Sequence, residues 1–176
     1  MPNTFNKIAS VTVGSGGASS IDFTSIPSTY TDLLVKLSIR NTSTESTNQI
    51  YVQPNSATTN LSSKLLFGNG SIASSASYTS ASSLWGYCSG NGSTSNTFGN
   101  SEFYFSNYAG SNNKSVIIDS VNETNATSAS QSLLAGLWSS STAINSLKFL
   151  TQENSTGDAK NFVQYCTATL YGISNS

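Results

Sequence analysis

The stretch DLLVKLSIR, residues 32–40, alternates with a period of two: Leu33, Val35, Leu37 and Ile39 share one face, and Leu34, Lys36, Ser38 and Arg40 share the other. Only an extended chain sorts residues this way, because a helix would spread the four apolar side chains around its axis. The rhythm recurs. SEFYFSNY sends Phe103 and Phe105 inward and Glu102, Tyr104 and Ser106 outward. KSVIIDSV, residues 114–121, is apolar on both faces and predicts a central strand covered on both sides. SLLAGLW, residues 132–138, has some helical spacing, but Gly136 and the Ser-rich flanks favour a strand.

Turn chemistry punctuates these runs. FNKIASVTV, with Phe5, Ala9, Val11 and Val13 on one face, is followed by GSGG and SIDFTSI, which predicts a hairpin with a Gly-rich loop. Asn69-Gly70 and Asn91-Gly92 carry the strongest short hairpin signal, the second just after a strand at 83–88. Tyr30 is expected as a corner residue. Together with QIYVQ, INSLKFL and FVQYCTATLYGI, the pattern predicts an all-β chain of about ten short strands. The expected architecture is one domain over 1–176, a two-sheet antiparallel sandwich with a jelly-roll strand number.

Composition narrows what such a fold could do. Charged residues make up 9% of the chain, against about 25% in an average soluble domain. Ser, Thr and Asn fill about 43% of it. The seven basic residues are scattered, so neither a nucleic-acid backbone nor an anionic membrane surface is an expected partner. MPNTFNKIASVTVG has no apolar segment of the signal-peptide kind. Cys88 and Cys166 each sit in a strand-like run and are expected as buried free thiols, with a single disulfide between distant strands as the alternative.

The chain has no histidine, which removes Ser-His-Asp and Cys-His catalysis and the usual zinc sites. A glycosidase would need two carboxylates about 5–9 Å apart. Glu102, Asp119 and Glu123 are the candidates, but no two acids are spaced i, i+2 on one strand face. The expectation is a protein that is not an enzyme and takes no cofactor or metal. Its candidate partner-binding residues are the outward-facing Lys36 and Arg40, the same-face pair Trp85 and Tyr87, and Tyr104 with Tyr108. Exposed aromatics of this kind could anchor a protein or stack on a sugar.

Three segments resemble small virion proteins of tailed bacteriophages, of the type found in phages of cyanobacteria and marine bacteria. They are FNKIASVTVGSGGASSIDFTSIPSTYTDLLVKLSIR, NTFGNSEFYFSNYAGSNNKSVIIDSVNETNATSASQSLLAGLWSSSTAINSL and NFVQYCTATLYGI. IPSTYTDL and ATLYGI are the most recognisable parts, and residues 42–96 add little. The resemblance implies a β-sandwich structural component of the particle, with no catalytic residues to carry over. It points to a capsid decoration or cement protein on the outside of the head, made in the host cytoplasm, whose partner is the major capsid protein or another virion protein. A homo-oligomer, with a trimer plausible, belongs to the same expectation. The alternative is a tail-fibre or receptor-binding module for host-surface glycans, against which the opening strand at Phe5 counts.

Overall fold

The computed structural model describes residues 4–81, 84–124 and 129–174. The chain is all-β, with no helix among those residues. Thirteen strands run in order: β1 (Phe5–Thr12), β2 (Ile21–Phe23), β3 (Asp32–Asn41), β4 (Thr47–Pro54), β5 (Leu61–Gly68), β6 (Ala73–Ala81), β7 (Leu84–Gly90), β8 (Gly99–Phe105), β9 (Lys114–Glu123), β10 (Ala129–Trp138), β11 (Leu147–Gln152), β12 (Ala159–Lys160) and β13 (Thr167–Ile173). They hydrogen-bond into one large mixed sheet rather than two separate ones.

That sheet consists of two antiparallel ladders with one short junction. The long ladder runs β1-β13-β3-β8-β9-β10-β5-β6. The short ladder carries β2 and β12 on one edge of β11, then β4 and β7. The junction is a parallel contact in which Arg40 and Asn41 of β3 pair with Ser89 and Gly90 of β7.

The core lies where the short ladder covers the inward face of the long one. Phe103 of β8 meets Phe149 of β11 edge-to-face, with ring centroids 5.2 Å apart, and Phe149 meets Phe23 at 6.3 Å. Strand β7 crosses β9 so closely that a Cβ on Gly86 would stand 3.0 Å from Ser120 Oγ. A larger residue there would have to push the Ser120 and Ile118 side chains aside.

Among the described residues one edge of β7 has no strand beside it at Tyr87, and serines of the long ladder take the place of one. The Tyr87 N–H donates to Ser120 Oγ at 2.9 Å, and Ser101 Oγ donates to the Tyr87 carbonyl at 3.0 Å. Ser120 and Ser132 share a further bond at 2.6 Å, and Ser89 donates to Asn122 Oδ1 at 2.6 Å. Part of the hydroxyl-rich composition is therefore inside, satisfying backbone groups that burial would otherwise leave costly.

Several sequence expectations are corrected. The Gly-rich loop does not close a hairpin: β1 pairs with β13, and β2 pairs with β11. Asn69-Gly70 does turn β5 into β6, but Asn91-Gly92 opens a loop between β7 and β8, which do not pair. The strand expected at 83–88 runs from Leu84, and residue 83 lies outside the described residues. SLLAGLW is strand, within β10. Tyr30 packs its ring on Gly172, as a corner residue should. Strand β9 is central, yet only its inward face is covered: Val116 and Ile118 are buried, whereas Ile117 and Val121 are exposed.

Candidate functional site

The outward face of β8, β9, β10, β5 and β6 forms a regular grid. Tyr104, Ile117, Ala135, Lys64 and Ser77 lie opposite one another in one row. Glu102, Asp119, Leu133, Leu66 and Ser75 form the next row, and Asn100, Val121, Gln131, Gly68 and Ala73 the third. Four large aliphatic side chains at its centre face solvent: Leu66 is 61% exposed, Ile117 59%, Leu133 46% and Val121 42%. A groove of about 590 Å³ runs over the first three, its lining including Leu66, Ile117, Leu133, Ala135, Lys64 and Ser77. No acid lines it. A contiguous apolar surface of this kind marks an interaction site.

Charge on the grid is sparse and unevenly placed. Lys36 of β3 and Glu102 form an ion pair at 2.7 Å, and Glu102 stands directly opposite Asp119. The Lys36 ammonium titrates above its ordinary range, chiefly through its hydrogen bond to Glu102 and then through that carboxylate's charge. Asp119 Oδ1 is buried without a hydrogen-bond partner. Spacing along one strand could not reveal the Glu102–Asp119 juxtaposition, because the two acids meet across strands.

The residues expected to bind partners divide sharply. Lys36 is exposed, as anticipated, but held by Glu102. Arg40 is not a surface residue: it is 7% exposed, and its guanidinium donates to Asn91 Oδ1 and to the carbonyls of Ser93, Thr94 and Thr97. It fastens the 91–97 loop. Trp85 and Tyr87 do share a face, but Tyr78 and Phe67 cover it, with centroids 5.5 Å from Trp85 and 5.3 Å from Tyr87. Trp85 is buried and Tyr87 half-buried. Tyr108 is wholly buried, its hydroxyl donating to the Pro27 carbonyl. Tyr104 is half-buried and donates to Asp32 Oδ2 at 2.6 Å, which pushes its phenol up to about 12. An exposed aromatic row for sugar stacking is therefore not assembled from these four residues.

Sequence reasoning missed the aliphatic face itself. Its signal was present in VII at 116–118 and LL at 133–134, where apolar residues occupy both faces of one strand. That pattern fits a doubly covered strand equally well. Among the described residues there is no group of three or more Cys, Asp or Glu placed to hold a metal ion. No helix of the described residues is long and apolar enough to cross a membrane. Comparison with protein-family models, with curated proteins and with solved structures returns no match, so the reading of function rests on the grid and its chemistry.

Proposed function

We propose that the protein is a structural component of a phage particle, a decoration or cement protein on the outside of the head. The observation that carries this reading is the exposed aliphatic face of β9, β10 and β5. Such a face is costly in water and becomes stabilising once a protein partner covers it. The resemblance of the three segments to phage virion proteins supplies the context. A cement protein acts by burying surface against neighbouring subunits, so that rupture of the shell must also break those contacts. With so few charges, affinity comes from aliphatic burial and neutral hydrogen bonds, and electrostatic steering contributes little.

The test is to assemble capsids without this protein, add it back, and follow binding and thermal rupture at low and high salt. Binding should persist at about 500 mM salt, where charge interactions are screened within a few ångströms. Coated capsids should rupture at a higher temperature than bare ones. Particles whose mass spectra lack the chain, or coated capsids that rupture with the bare ones, would sink the reading.

A further inference from the structure

We infer that the aliphatic face closes against a second copy of this chain, the two copies related by a two-fold axis lying in the face. The inference takes from that reading only that this face is a protein interface, and names a second copy as what covers it; the dimer then meets the capsid through its other surfaces. The grid is self-complementary. Lys64 and Asp119 occupy opposite corners of the block formed by β9, β10 and β5, and Ile117 and Leu66 occupy the other two. A two-fold axis along the Ile117–Leu66 diagonal exchanges the charged corners. It sets each Lys64 over the partner copy's Asp119 and leaves the aliphatic side chains to pack on their own images near the axis.

The charges require such a partner more than their own chain does. In the row Lys36, Glu102, Asp119, the one cation is already spent on Glu102, and the half-buried Asp119 forms no ion pair among the described residues. Lys64 is exposed, donates to the hydroxyl of Ser77 and forms no ion pair among the described residues. The diagonal axis also crosses the strands of the two copies steeply, which is the orthogonal class of sheet packing. Five strands about 4.8 Å apart and about 20 Å long present roughly 500 Å² per copy. The pair then buries about 1,000 Å² in total, the threshold for a specific interface. Symmetry closes the contact, so assembly stops at two and does not continue into a fibre.

The experiment is sedimentation of the full chain as wild type, K64D, D119K and the double swap K64D/D119K. Each single reversal places like charges together twice per dimer and should raise the dissociation constant at least about tenfold. The double swap restores both pairs and should return it to within about threefold of wild type. I117Q, a change at an exposed site that alters no charge, should yield monomers. A wild-type chain that stays monomeric at about 100 µM, a weak association by any standard, overturns the inference. So does a trimer, or a double swap no better than the single reversals. A monomer that still coats capsids would overturn the dimer and leave the virion reading standing. A dimer that obeys the swap but never binds capsids supports the inference and sinks the virion reading.

Discussion

Arg40 Nε donates to Oδ1 of Asn91 at 3.1 Å, across 51 positions of sequence. The rest of its guanidinium is spent on three backbone carbonyls, and no carboxylate faces it in that set. The cation thus organises a loop as a bound ion would. Replacing it with Met should destabilise the protein by roughly 2–4 kcal/mol, because four hydrogen bonds of a charged donor are lost, the one to the Ser93 carbonyl buried and the others part-buried. Arg40→Lys should recover only a small part, since a single ammonium cannot span the fork. Equal stability of Arg40→Lys and wild type in urea unfolding would contradict this role.

Phe103 is fully buried against Phe149, and its neighbour Tyr104 faces outward. Phe103→Ala should cost roughly 3–5 kcal/mol, the scale of a deleted core aromatic. Tyr104→Ala should cost clearly less in chemical denaturation. The reverse order would mean that the inward and outward faces of β8 have been exchanged.

Stability should fall on the alkaline side. Tyr104 is raised to about 12 by its bond to Asp32, and burial raises Cys88, Cys166, Tyr51, Tyr87 and Tyr108. A group that holds its proton longer when folded contributes fully below its unfolded pKa and loses that contribution as pH climbs. The loss therefore begins near the ordinary thiol value of 9.0 and continues to about 12. Lys36, also raised, acts in the same sense. Lys114 acts in the opposite sense: burial lowers it, while its ammonium is held by the carbonyls of Gly110, Asn112 and Ser140. The melting temperature should decline from about pH 9 upward, less steeply between about pH 10 and 12 in Tyr104→Phe. A profile flat from about pH 8 to 11 would refute it.

Both thiols are free and buried, and Cys166 Sγ lies 3.1 Å from the Arg40 carbonyl, to which it donates. Dithiothreitol should leave the melting temperature unchanged. A thiol reagent should label neither cysteine in the folded protein and both in denaturant. A fall of many degrees on reduction would show a disulfide instead.

Alternation makes the strand character of β3 and β8 legible, and the faces of Phe103 and Phe105 with it, while β10 is legible only through Gly136 and its Ser-rich flanks. Parity fails where a strand changes partners. Strand β3 pairs with β8 only up to Ile39, and its last two residues turn to β7, which carries Arg40 inside. Tyr108 lies beyond the end of β8, where a count along that strand no longer applies. Trp85 and Tyr87 share a face as their spacing predicts, but no local pattern announces that Tyr78 and Phe67 cover it. The same limit hid Glu102 beside Asp119. Turn chemistry suggests that two strands could pair, and for β1 and β2 the more distant partners prevailed.

The pairing of Phe5 with Ile173 sets an order of events during synthesis. Strand β1 precedes the other twelve described strands, yet its ladder partner among the described residues, β13, follows all of them. Strand β3 likewise waits for β13 to cover one of its edges. A nascent chain must therefore hold two open strand edges until β13 has been made. Closure over so long a separation is slow, and bare edges invite pairing with other chains. Deleting the last strand should then give an aggregating product rather than a slightly weakened one.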